Sequence, residues 1–427
     1  MISRKNGVVG FVDQGMSSLS NVLAIIMVAQ SLSASAFGSF SVAYAVLILL
    51  LGLSRSYFGT QLTLTDAPSV ARDRATAAIG ALLLLAPALA ATAGGFGFLL
   101  AGRADPLIAV AAGIAAPLIC LQDALRWAAV AVGRPYVALA SDTVWTVIMA
   151  VPAFGLVRLT GAHIMAVWVG AAAVALAVAA ALLRIKPNFA KGWRLLGAER
   201  HPVGNSVMMG SAVVTAASLI IAAATAQFLG PASAGSLRGA STAMGPLNVL
   251  LAFITLNLNQ TLLRRARSQD LAFCVRVALL VAAAASVWSA AVLLLPDAIG
   301  RALLGESWPG VRSVLPWTCA EYLFTGVATA TLLWLRVRFA TRQLLRLRLV
   351  FAVLLVSFGI GAAILGSSAQ AVAAAIASAA LINAALSWLV VLRSPSLGLA
   401  SHPVLSSSQS AESPVSGDSA TLGGRGN

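Results

Sequence analysis

Apolar residues fill this chain in runs of twenty or more, broken by short polar clusters. A helix that crosses about 30 Å of hydrocarbon needs about 20 such residues. The stretches that qualify are 8–30, 38–64, 75–101, 105–132, 136–157, 162–184, 203–228, 235–262, 271–295, 311–335, 344–366 and 369–393, twelve in all. The run from Leu349 to Leu392 has no charge and is long enough for two helices, with Gly366-Ser367-Ser368 marking the turn. Leu229-Gly230-Pro231 divides the charge-free run from Pro202 to Leu237 in the same way.

The pattern is written twice. Ala29-Gln30, Leu32 and Gly38-Ser39 recur as Ala226-Gln227, Leu229 and Gly235-Ser236, at an offset of 197. Pro117, Cys120 and Gln122 face Pro316, Cys319 and Glu321 at 199, and Gln61 faces Gln260, also at 199. In the first segment Gln14, Ser18 and Asn21 share a helix face and have Ser211, Thr215 and Ser218 as counterparts at 197. Six helices per half bring the second half in from the same side as the first, so the repeats are parallel, about an axis along the membrane normal. The chain then divides into a first lobe over 1–197, with an inter-lobe linker over about 185–202, and a second lobe over 198–393. Residues 394–427, rich in Ser, Gly and Pro, read as a disordered cytoplasmic tail.

Composition agrees with a bilayer as solvent. The chain is 59% hydrophobic and 10% charged, with mean hydropathy +0.92, where soluble proteins carry about 25% charged residues. A net charge of +15 does not signify nucleic acid, because the basic residues sit between apolar runs and form no face interleaved with aromatics. They set topology instead. With the N-terminus in the cytoplasm, Arg72 and Arg74, the Arg184–Arg200 linker, Arg264 to Arg267 and Arg336 to Arg348 all lie inside, leaving Arg103, Arg158, Arg301 and Arg312 outside. Both termini are therefore expected in the cytoplasm of a multi-pass protein of the cell inner (cytoplasmic) membrane. Trp193 and the basic residues of the linker suit a segment lying on anionic lipid. Cys120, Cys274 and Cys319 fall inside apolar segments, with no metal-ligand spacing. The first segment, which holds Asp13, Gln14 and Asn21, reads as a spanning helix rather than a signal peptide.

Several stretches resemble bacterial polysaccharide flippases: "FVDQGMSSLSN" from Phe11, "ASAFGSFSVAYA" from Ala34, and "LLGESWPGVRSVLP" from Leu303 to Pro316. These flippases belong to the multidrug/oligosaccharidyl-lipid/polysaccharide (MOP) exporter superfamily. The resemblance covers about residues 5–393 and departs from the fourteen-helix peptidoglycan-precursor flippases in lacking two C-terminal helices. It implies an all-α integral membrane fold of two six-helix lobes, like that of the MATE transporters. It also implies transport of a polyprenyl-diphosphate-linked oligosaccharide or polysaccharide precursor.

Ionisable groups within the spans cost several kcal/mol unless they are paired or face water, so they are the candidate site. Asp13 heads a polar arc with Gln14, Ser17, Ser18 and Asn21. Arg55 has no acidic neighbour on its own helix and stands about 13 Å from its end at 1.5 Å per residue; an internal cavity accounts for it. Asp123 and Arg126, spaced i, i+3, either neutralise each other or serve a site. Asp142 reads as a solvated helix-end residue, and Arg238 either snorkels to the outer headgroups or binds substrate. Glu321 lies beside Tyr322, one turn from Thr318 and Thr325, with no obvious local partner.

No nucleophile elbow, metal cluster or P-loop is present in the sequence, so neither enzymatic chemistry nor a cofactor is expected. The expected partners are membrane lipid, a lipid-linked glycan, a coupling ion (H+ or Na+) and glycan-assembly enzymes, and no nucleic acid. A drug/cation antiporter using Asp13 or Glu321 is the alternative, and a non-transporting membrane scaffold is a third reading.

Overall fold

The computed structural model describes residues 4–59, 62, 68–101, 106–155, 157, 159, 161–197, 202–253, 271–337, 341–366 and 368–393. The C-terminal tail, Gln61, Gln260 and the basic cluster at 264–267 lie outside the described residues.

The described chain is helical, with no strand among the described residues. Its helices are α1 (Arg4–Ser31), α2 (Ala34–Ser54, continued by a π-turn over Arg55–Gly59), α3 (Pro68–Ala101), α4 (Pro106–Ala131), α5 (Pro135–Ala153), α6 (Gly161–Leu183) and α7 (Phe189–Gly197). They continue with α8 (Pro202–Leu229), α9 (Pro231–Ala243), α10 (Gly245–Phe253), α11 (Leu271–Leu293), α12 (Asp297–Leu304), α13 (Trp308–Val337), α14 (Thr341–Leu365) and α15 (Ala369–Arg393). Among the described residues, ten helices are long and apolar enough to cross a membrane. Their outer faces are oily: Leu279, Leu280, Val287, Val353 and Leu365 are each 62% to 86% exposed. No soluble surface carries such a load, and lipid satisfies it.

Two of the twelve expected spans are not among the ten. The expected single helix over 235–262 is broken at Met244, because Pro246 has no N–H to donate to the Thr242 carbonyl and its ring crowds that carbonyl. The expected span over 311–335 is an unbroken 30-residue helix, α13, whose polar side chains dilute its hydropathy. The expected loop over 185–202 contains the short helix α7, which lies on α3: an added Cβ at Gly192 would sit 2.4 Å from Ala81 N, and one at Gly80 2.3 Å from Asn188 O. The exposed side chains of Phe189 and Trp193 point away from that contact.

The packing scheme repeats. In the first half α1 packs on α5, α3 on α4, α4 on α6, α5 on α6 and α2 on α4. In the second half α8 packs on α14, α11 on α13, α13 on α15, α14 on α15 and α9 on α13. The halves meet mainly through α2 against α8 and α9. There the backbones touch: a Cβ on Gly38 would lie 1.8 Å from Pro231 O, and one on Gly235 would lie 3.2 Å from Gly38 Cα. At the same end of the bundle the Gln30 amide donates to Ala302 O at 2.7 Å. A Cβ on Gly305 would lie 2.9 Å from Ala29 O.

Candidate functional site

The first half holds a buried charge network towards the end of the bundle that carries α7. Its centre is Arg126 on α4, whose side chain is 8% exposed. Arg126 Nε donates to Asp13 Oδ2 of α1 at 2.9 Å and lies 3.2 Å from Asp142 Oδ2 of α5. Its Nη2 donates to Gln14 Oε1 at 2.9 Å. Asp123, one turn away on the same helix, is 3.6 Å from Arg126 Nη1 and spends its close bonds elsewhere. It accepts from Arg55 Nη2 at 2.7 Å and from Arg55 Nε at 3.2 Å, a bidentate fork. It also accepts from the Trp127 indole at 3.1 Å.

This arrangement corrects three expectations. Arg55 is not an unpaired guanidinium, because Asp123 reaches it from another helix. Asp123 and Arg126 do not chiefly neutralise each other, since the i, i+3 contact is the longest in the set. Asp142 is not a solvated end residue but is 2% exposed, accepting from Gln122 Nε2 at 2.7 Å. Two guanidinium groups thus face three carboxylates. Asp13 Oδ1 and Asp142 Oδ2 are buried without a hydrogen-bond partner. Arg55 is the accessible edge of the network, its side chain 40% exposed. The π-turn that begins at Arg55 widens the helix by one residue, a device frequent at functional sites. Tyr57 in that turn donates to Leu195 O of α7 at 2.8 Å.

A second polar group lies between the halves. Arg238 of α9 does not reach outwards as expected, for its guanidinium sits 4.5 Å from the centre of the Tyr44 ring of α2, a cation–π contact. Tyr44 donates to Asn21 Oδ1 of α1 at 2.9 Å. Across the seam, Asn248 of α10 donates to Tyr322 Oη of α13 at 3.0 Å. Asn21 and Asn248 are exposed part-way along their helices, so that each can meet water or a ligand besides its tyrosine partner. Glu321 stands beside Tyr322, and no hydrogen bond or ion pair to it is present among the described residues. Outside the spans, a hydrogen bond from the Trp308 indole (2.7 Å) and then the Arg312 guanidinium hold the Asp297 carboxyl below the usual carboxylate range.

The structure therefore gathers Asp13, Gln14, Arg55, Asp123 and Arg126 into one network, and places Asn21, Arg238 and Glu321 along the seam between the halves. Sequence reasoning missed Tyr44, Trp127 and Asn248 as members. Gln122 was visible only as the repeat counterpart of Glu321, which gave no hint of its bond to Asp142. Among the described residues no group of three or more His, Cys, Asp and Glu could hold a metal ion.

The fold is that of the MOP-superfamily transporters. The chain superposes on an inward-facing multidrug resistance MATE family transporter of the MOP superfamily with TM-score 0.68 and 13% identity, covering 93% of this chain and 100% of that one. It superposes on the lipid II flippase MurJ in an inward closed conformation with TM-score 0.67 and 10% identity, covering 90% and 87%. For an outward-facing MATE family transporter the TM-score is 0.57, at 12% identity over 91% and 94%. No protein-family model matches the chain, and no curated protein sequence does.

Proposed function

We propose that this protein carries a polyprenyl-diphosphate-linked oligosaccharide or polysaccharide precursor across the cytoplasmic membrane by alternating access between two six-helix halves. The observation that carries this reading is Arg55, a guanidinium two-fifths exposed at the rim of an otherwise buried network, in the geometry that grips phosphate oxygens. Twelve spans follow when α9 and α10 count as one broken helix, with Arg238, Ser241 and Asn248 flanking the break. Discontinuous helices of this kind form substrate sites near the midplane of transporters. The duplicated packing scheme supports two parallel repeats over 1–197 and 198–393. The abutting Gly38 and Gly235 support them too, since equivalent residues meet on a two-fold axis.

With both termini in the cytoplasm, the Gly38–Pro231 contact closes the outer side. The better superposition on the inward-facing transporter than on the outward-facing one supports the same state. In this reading the headgroup enters at Arg55 from the inner leaflet, sugars meet Asn21, Asn248 and the Glu321 edge, and the lipid tail stays in the bilayer. A coupling ion, H+ or Na+, has carboxylates available at Asp13 and Glu321, and glycan-assembly enzymes supply the cargo. A drug/cation antiporter is favoured by the surplus of carboxylates over arginines, and drug sensitivity on deletion with intact glycan export would select it.

The test is glycan-export complementation at matched membrane abundance. Arg55→Ala should cut export about tenfold or more, given about 1.5–3 kcal/mol for a charge-assisted bond. Arg55→Lys should recover part of the loss, keeping the charge without the fork. A fully active Arg55→Met would overturn the anion site, since that variant keeps the stem and drops the charge.

A further inference from the structure

In the structure Arg55 is already occupied. Asp123 fills its fork through two bonds, at 2.7 and 3.2 Å, the pattern by which arginine grips a phosphate. The two partners are held unequally. The Asp123 side chain is 5% exposed and fixed by the Trp127 indole, with Arg126 at 3.6 Å. The Arg55 side chain is 40% exposed and opens the π-turn, whose far end lies against the same indole: an added Cβ at Gly59 would sit 3.2 Å from Trp127 Cγ. If Arg55 is drawn away, Asp123 is not stranded, because the indole N–H and the Arg126 guanidinium still face it. That removes the usual penalty for breaking a buried pair, which is the naked charge left behind.

We infer, on the reading of Arg55 given above, that Asp123 is a built-in competitor that decides which anions Arg55 accepts. A headgroup of low charge has little advantage over the resident carboxylate. A diphosphate, with more charge and more oxygens on one ligand, displaces it, and Asp123 closes onto Arg126. Asp123 is thus a specificity-determining residue that touches the arginine in the substrate's absence.

The test uses the full-length protein in lipid nanodiscs, with farnesyl diphosphate and farnesyl monophosphate as probes. Wild type should prefer the diphosphate. Asp123→Asn should bind both probes more tightly, the monophosphate most, so that the preference shrinks about tenfold, the scale of one charge-assisted bond. Asp142→Asn removes the same charge without contacting Arg55 and should shift the preference far less than Asp123→Asn does. An equal shift in that variant would mean that the field of the cluster acts, and would overturn the competitor. An unchanged preference in Asp123→Asn, with both probes lost in Arg55→Ala, would also overturn it and leave the Arg55 site standing. Wild-type binding in Arg55→Ala would remove both. Should Asp123→Asn fail to fold, Trp127→Phe puts the same question. Without its indole anchor Asp123 follows Arg55, and diphosphate affinity should fall; unchanged affinity counts against the competitor.

Discussion

Removing the Arg126 guanidinium would leave Asp13, Asp123 and Asp142 facing one another where little water reaches. Breaking such a buried set by deleting one partner costs about 3–5 kcal/mol, so Arg126→Met should lower the melting temperature and the yield of folded protein in detergent. Asp13→Asn should cost less, because Arg126 keeps Asp142. A wild-type melting curve for Arg126→Met would mean that the network is not structural. Glu321 poses a different question, since its carboxylate has no hydrogen-bond or ion-pair partner among the described residues. Glu321→Gln is expected to abolish the dependence of transport on a pH gradient while leaving substrate binding in place. Transport that keeps its pH dependence in the Gln variant would assign Glu321 to sugar contact instead. The sequence marked Arg55, Asp123 and Arg126 as costly residues, but not their pairings. Arg55 and Asp123 are 68 positions apart, Arg126 and Asp13 are 113 apart, and each pair comes from two helices. Helical periodicity reports neighbours on one helix, so it offered the weak i, i+3 contact and missed the strong ones.

At the scale of elements, the close approach of α2 and α9 depends on Gly38. Gly38→Ala would drive a methyl into the Pro231 carbonyl, so one helix must shift. The variant should populate the state open on that side. Labelling of a cysteine introduced at Asn21, by an impermeant thiol reagent added from outside, should rise several-fold over the same cysteine in the Gly38 background. Equal labelling would show that the contact does not hold the seam shut. Most spans could be read from hydropathy because lipid imposes a length and a composition on them. Hydropathy is blind to what interrupts a helix inside the membrane. Met244 ends α9 through Pro246 two positions on, and the five residues of the π-turn at Arg55 look like any other helix in sequence. The span in α13 is less apolar than the others, and one of its polar residues, Tyr322, meets Asn248 and Ser241 of the broken helix.

At the scale of the molecule, the two halves must part at the Gly38 end if access alternates. Cysteines at Gln30 and Ala302, joined by a short bifunctional thiol reagent, should stop export, and export should return when a cleavable linker is cut. Undiminished export in the joined protein would exclude opening at that end. The three helices α1, α4 and α5 are cross-braced through Arg126 by charges that cannot separate cheaply, whereas α2 and α9 meet across the seam backbone against backbone around two glycines. Strength and slip are therefore assigned to different places. The first half can serve as a stator, a frame that keeps its shape while something moves against it. The glycine contact makes that part of the seam a bearing, while apolar side chains such as Phe37 and Trp308 and the Arg238–Tyr44 contact still join the halves around it. Thermal or chemical stress on such a machine should show first as play in the bearing, well before the frame itself gives way.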